Sequence, residues 1–235
     1  MHMIDIKRKE NLLRSMERLE AYQEIQNQMG RMIAAFNFRE AEKVLGYFAL
    51  EMEDVSLEVA DEGVFEGPEA VETIIRETVG KAPQKGEMID IQLTTPIVEV
   101  AQDLQSARAL WWCPGAASFV QTGDLPEEKA SQAQNDPQAV WLWGDIAVDF
   151  VNTEEGWKIH HLHYFRVIKC SYEKGWVEDT SMINRPNTAM HPLSKPTTFH
   201  NPYSPLSIRY GLPAAPYPYE SDDGENWMLR NDKTK

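Results

Sequence analysis

The sequence predicts an α+β fold: N-terminal helices followed by a mainly antiparallel meander of strands, with a long Pro/Tyr-rich C-terminal extension. Three observations carry this. Apolar residues in the first 50 positions recur with helical spacing, those from residue 88 to 168 fall into β-branched or alternating runs, and most of the 14 prolines lie beyond residue 185. With 235 residues at 42% hydrophobic, the chain can bury one large core. Residues 1–175 are expected to form that domain, and 176–235 a tail that packs on it or on a neighbouring subunit.

Leu12, Leu13, Met16, Leu19, Ile25, Met29, Met32, Ile33 and Phe36 lie on one helical face, so residues from about 5 to 36 read as an amphipathic helix. Asn37 offers a break, and Phe38, Ala41, Val44, Leu45 and Phe48 continue the period as a shorter helix from about 38 to 49. Val55, Leu57 and Val59 alternate with Ser56, Glu58 and Ala60 as a half-buried strand does, and Asp61-Glu62-Gly63 supplies a turn into a second short strand, Val64 to Glu66. Gly67-Pro68 opens a third helix, with Pro68 in the first turn and Val71, Ile74, Ile75 and Val79 on one face. A long strand from Met88 to Val100 follows, in which Pro96 requires a bulge or an edge. Further strands are expected from Ala107 to Cys113, Ala139 to Val151 and Trp157 to Ile168, the last two joined as a hairpin. Residues 122–138, rich in Glu, Asp, Gln, Pro and Ala, read as an exposed insertion.

Composition narrows the function. A net charge of −14 without a Lys/Arg run argues against nucleic acid as partner. No window approaches the ~18 apolar residues of a membrane span, and the charged segment from Met1 to Arg18 lacks the apolar core of a signal peptide, so a cytoplasmic protein is expected. Cys113 and Cys170 are too few for a disulfide framework and lack zinc-site spacing. Both are read as structural.

Several segments resemble the SnoaL-like branch of the nuclear transport factor two-like superfamily, which includes polyketide cyclases and dehydratases. They are Asp54 to Gly67, the string Thr95-Pro-Ile-Val-Glu-Val-Ala-Gln-Asp103 with Ala107 and Trp111 after it, and Val148-Asp-Phe150 leading into Gly156-Trp-Lys-Ile159. The resemblance spans roughly residues 12–170. It implies a cone-shaped, strongly curved antiparallel sheet wrapped around the N-terminal helices, whose interior takes a small hydrophobic molecule, aromatic or polycyclic, and works by acid–base chemistry without a cofactor. Catalytic relatives bring a Tyr or Asp from the first helix into the cone; here Met32 stands at that place, and Tyr22 or Tyr47 could replace the phenol.

Strand alternation groups Trp157, Ile159, His161, His163 and Phe165 on one face, the more apolar one and so the face expected to line the interior. His161 and His163 are the candidate acid–base groups, since imidazole titrates near neutrality. Asp149, in an otherwise apolar strand, is the candidate carboxylate, oriented toward a histidine or else paired with Arg166 or Lys158 across the hairpin. Trp111, Trp112, Trp141, Trp143, Met32, Phe36 and Tyr22 are expected to line the ligand site or to fill the core. His161 and His163 have no evident third ligand, so no metal is expected. These features predict a dehydratase or isomerase-like lyase; the alternative is a non-catalytic binding or assembly protein of the same fold, favoured by Met32 and Phe36 on the first helix. A homodimer or higher homo-oligomer embraced by the tail is expected, with Tyr203, Tyr210, Tyr217, Tyr219 and Trp227 as its docking rings.

Overall fold

A computed structural model of the chain describes residues 2–120, 137–184 and 187–230. The insertion expected at 122–138 lies almost wholly outside them. The elements in chain order are helices α1 (His2–Asn37) and α2 (Ala41–Leu45), strands β1 (Ser56–Val59) and β2 (Gly63–Glu66), and helix α3 (Pro68–Thr78). Strands β3 (Met88–Ile91), β4 (Thr94–Val100), β5 (Ser106–Phe119), β6 (Gln138–Thr153) and β7 (Gly156–Ser171) follow. The last elements are a short helix α4 (Gly175–Glu178), strand β8 (Ser194–Lys195) and a 3-10 turn at Trp227–Leu229.

One eight-stranded curved sheet runs β3-β5-β6-β7-β1-β2-β8, with β4 also paired to β5. Among the described residues every strand pairing is antiparallel except β1 with β7, which are parallel. Its concave face closes over the C-terminal half of α1. There Ile25, Met29 and Met32 meet Trp111, Phe150, Trp157 and Ile159 in the main core cluster. Each such side chain, removed from water, stabilises the fold by about 1.5–3 kcal/mol. Packing of α1 begins at Ala21: Leu12, Leu13, Met16 and Leu19 remain exposed, so only part of the amphipathic period is used.

Two elements depart from the pattern read in the sequence, each for a backbone reason. The second helix stops at Leu45 because the following chain is drawn onto β7, where Ala49 N–H donates to the Ile159 carbonyl and Ile159 N–H to that of Tyr47. The single strand expected over 88–100 is two. Thr95 takes a left-handed φ of 49°, and Pro96 has no N–H for the ladder, so the register with β5 shifts between Thr94 and Ile97. Asn37 fastens the end of α1 to β3, donating to the Ile91 carbonyl and accepting from its N–H.

The tail folds back over the convex face of its own sheet. β8 extends the sheet beside β2, Tyr203 N–H donates to the Val167 carbonyl, and the backbone carbonyls of Tyr219 and Glu220 accept from Gln102 and Asp103. Beneath it lies a second cluster, in which Trp227 and Met228 pack on Leu110, Ala147 and Phe165. Of the tail rings, Tyr219 and Trp227 dock, whereas Tyr210 and Tyr217 stay exposed.

Candidate functional site

The site arises from a bulge in β7. Asp149 of β6 pairs with His161, while its neighbour Phe150 pairs with Ile159, leaving His160 as the extra residue. Side chains alternate faces only while the register holds, so one inserted residue inverts the order beyond it. Before the bulge Trp157 and Ile159 point into the core; after it Leu162 and Tyr164 do. His163 and Phe165 are thereby turned to the convex face, where their rings stack with centroids 3.5 Å apart. The single-face grouping of Trp157, Ile159, His161, His163 and Phe165 expected from alternation therefore does not hold.

The convex face and the tail enclose a cleft of about 500 Å³. Asp149, His160, His161 and His163 line it from the sheet, Glu58 and Arg108 from flanking strands, and Thr198, Tyr219, Asp222 and Met228 from the tail. Anchors close its rim. The Glu58 carboxylate accepts from Thr197 Oγ1 at 2.5 Å and from Thr198 N at 2.7 Å. The Arg108 guanidinium donates to Asp222 at 3.0 Å and Asp223 at 2.6 Å and lies 4.3 Å over the Tyr219 ring. Farther along the face, Arg209 donates to Asp145 at 2.7 Å.

Asp149 is the titratable centre of this cleft. Its Oδ1 accepts from Trp227 Nε1 at 2.6 Å, and its cross-strand neighbours are Arg108 and His161. Burial raises its carboxyl to about 6, against the opposing pull of the indole N–H and of Arg108. Neither Arg166 nor Lys158 pairs with it: Arg166 reaches Asp61 at 2.5 Å and Glu62 at 3.0 Å, and Lys158 donates to the Gly46 carbonyl.

His161 and His163 are held neutral. Burial, reinforced by neighbouring His160, lowers His161 to about 4, and its Nδ1 lies 3.0 Å from Ser56 Oγ. Burial alone lowers His163 to about 3. His163 Nε2 is 3.3 Å from Glu58 Oε1 but off the direction of a hydrogen bond, so it is buried without a hydrogen-bond partner among the described residues. Proximity here does not amount to an ion pair, because Glu58 spends its oxygens on the tail threonines. His160 Nε2 lies 2.8 Å from Asp54 Oδ1, and its ring stacks on His161 with centroids 3.7 Å apart. Asp54, His160 and His161 each bring one donor atom within 4.8 Å of the others.

The SnoaL-like domain model matches residues 17–163. The chain belongs to the SnoaL-like domain family. No curated protein matches it by sequence. Among solved structures, a candidate scytalone dehydratase of Novosphingobium aromaticivorans DSM 12444 superposes with a TM-score of 0.50 at 14% identity, over 66% of this chain and 89% of that one. LinA superposes with a TM-score of 0.51 at 11% identity, over 66% and 92% respectively. A type 2 LinA hexachlorocyclohexane dehydrochlorinase gives 0.50 at 11%, over 67% and 92%. At such identities the likeness is one of fold.

In this SnoaL-like chain the residues expected to form one site are distributed over both faces of the sheet. Asp149, His161 and His163 do come together, but in the convex cleft. Met32 and Trp111 are buried in the concave core, with Phe36 and Tyr22 packed against it. Trp112 is exposed, and Trp141 and Trp143 stack on each other beside Tyr172 and Trp176. None of these seven lines the cleft. Asp54, Arg108, Tyr219 and Trp227 complete the cleft's surroundings without having been legible as site residues. Adjacent His160 and His161 were the visible signal; the parallel β1–β7 pairing that brings Asp54 to them was not.

Proposed function

We propose that the chain is a lyase- or isomerase-type enzyme whose acid–base site is the convex cleft, with Asp149 as the group that moves the proton. The carrying observation is a carboxyl raised to about 6 in a cleft of about 500 Å³, cross-strand from a neutral His161. A carboxylate with that value is largely ionised at pH 7 yet basic enough to accept a carbon-bound proton. In an elimination, Asp149 takes the C–H proton, the electron pair forms the double bond, and hydroxide leaves the adjacent carbon. The same proton passes from Asp149 to that oxygen, giving water and restoring the carboxylate. Neutral His161 donates a hydrogen bond to the substrate rather than a proton. This exchanges the roles expected from sequence, where the histidines carried the proton and Asp149 oriented them.

The lining also alters the expected substrate. With Glu58, Glu66, Asp149 and Asp222 among its walls, the cleft suits a hydroxylated molecule of mixed polarity more than an apolar one. A second reading, a binding or assembly protein, draws support from the concave face, which Met29, Met32 and Phe36 fill. The two separate experimentally. Wild type, Asp149→Asn and His161→Ala are incubated in D₂O with a panel of cyclic and acyclic hydroxy compounds, and mass spectrometry follows loss of water and deuterium uptake at carbon. The enzyme reading expects turnover reduced about 10²–10⁴-fold by Asp149→Asn. Turnover unchanged in that variant removes Asp149, and no turnover or exchange with any compound favours the binding protein.

A further inference from the structure

We propose that Asp54, His160 and His161 form a binding site for a divalent first-row transition ion at the edge of the convex cleft. This goes beyond the elimination reading and does not depend on it; Nδ1 of His161 is engaged by Ser56, so a bound ion would take the one nitrogen that otherwise donates to substrate and would itself hold the substrate oxygen. Consecutive residues of a regular strand point to opposite faces, yet the bulge at His160 presents two successive imidazoles to the same side, with ring centroids 3.7 Å apart. The parallel pairing of β1 with β7 sets Ser56 opposite His161, which carries Asp54, two residues earlier, to His160. One donor atom from each of the three lies within 4.8 Å of the other two. A tetrahedral ion about 2.0–2.2 Å from each ligand holds its donors roughly 3.3–3.6 Å apart, so side-chain adjustment suffices to close the set.

The details of each ligand agree with this. His160 Nε2 and Asp54 Oδ1 are within hydrogen-bond distance at 2.8 Å, and an ion could enter between them while the two atoms separate by less than an ångström. Ser56 Oγ engages His161 Nδ1 at 3.0 Å, a support of the kind that orients metal-bound imidazoles. His160 and His161 both line the cleft, so the remaining coordination positions open onto space that a ligand oxygen can occupy. Two imidazoles and one carboxylate suit zinc, ferrous iron or cobalt better than the all-oxygen preference of calcium or magnesium. The sequence offered no third ligand because Asp54 is more than 100 residues from the histidines and reaches them through strand pairing.

Full-length, chelator-stripped protein is titrated with Zn²⁺ by calorimetry and with Co²⁺ by visible absorption, at pH 7.5. The proposal expects one saturable ion per chain and a cobalt spectrum of a nitrogen/oxygen site. Asp54→Asn and His160→Asn should each weaken Zn²⁺ binding more than about tenfold. Asp54 is exposed, so its variant is expected to retain the fold, which circular dichroism checks. His191→Asn, beside Glu77, serves as the control for adventitious imidazole binding and should leave the titration unchanged. Absence of a saturable site, or binding that persists in both Asp54→Asn and His160→Asn, overturns the assignment.

Discussion

Replacing Asp149 by Asn should make the protein more stable at neutral pH. Burial raises this carboxyl from 3.8 to about 6, so the folded state holds the charged form at a disadvantage. A group raised on folding contributes stability that is complete below its unfolded value and lost as pH rises through its folded one. The window here runs from about pH 4 to pH 6. A shift of about two units at about 1.4 kcal/mol each corresponds to roughly 3 kcal/mol lost by wild type above pH 7. Asparagine carries no charge to desolvate, and its amide oxygen can still accept from Trp227 Nε1. Urea unfolding at pH 7.5 should therefore place the Asp149→Asn midpoint above wild type by an amount near 3 kcal/mol. At pH 4.5 the advantage should shrink to about 1 kcal/mol, because the wild-type carboxyl is then protonated when folded. An Asp149→Asn protein that is less stable at pH 7.5, or whose advantage is the same at both pH values, would refute the account of Asp149 as a desolvated, functionally retained charge.

Trp227→Phe keeps an aromatic ring under the tail but removes the donor to Asp149, costing about 1.5–3 kcal/mol above pH 6 and less below it. Hydrogen exchange of the Ala214 amide, which donates to the Met228 carbonyl, should accelerate at pH 7.5, and unchanged protection would detach Trp227 from tail anchoring. Gly144→Ala would drive a Cβ onto the Phe165 carbonyl oxygen and to within 2.7 Å of Tyr164 Cε2, at the second irregularity of the β6–β7 pair. Overpacking there should cost at least about 1–3 kcal/mol by thermal or urea unfolding, and a variant as stable as wild type would show that β7 shifts freely at this point.

The element types and their order were legible because they depend on local periodicity. The helical face of Ile25, Met29 and Met32, the alternation of β1 and the β-branched runs of the later strands each follow from side-chain direction along one segment. The SnoaL-like segments were legible for the same reason, since Val148-Asp-Phe150 and Gly156-Trp-Lys-Ile159 carry their pattern within a few residues. Asp149, His161 and His163 were also recognisable as unusual, as titratable groups in apolar strands.

Which face they occupy was decided only by tertiary structure. Alternation assigns faces correctly up to Ile159, and the residue inserted at His160 reverses the assignment for His161, His163 and Phe165. A bulge is a mismatch between two strands, so neither strand's sequence contains it alone. The same holds for the parallel β1–β7 pairing that joins Asp54 to His160 and for the tail that lays Trp227 on Asp149 from 78 residues away. Burial of Asp149, and with it the value of its carboxyl, comes from that covering segment. Composition could announce that the tail must dock on something; the physical partner, the convex face of its own sheet, depends on the curvature that eight paired strands acquire together.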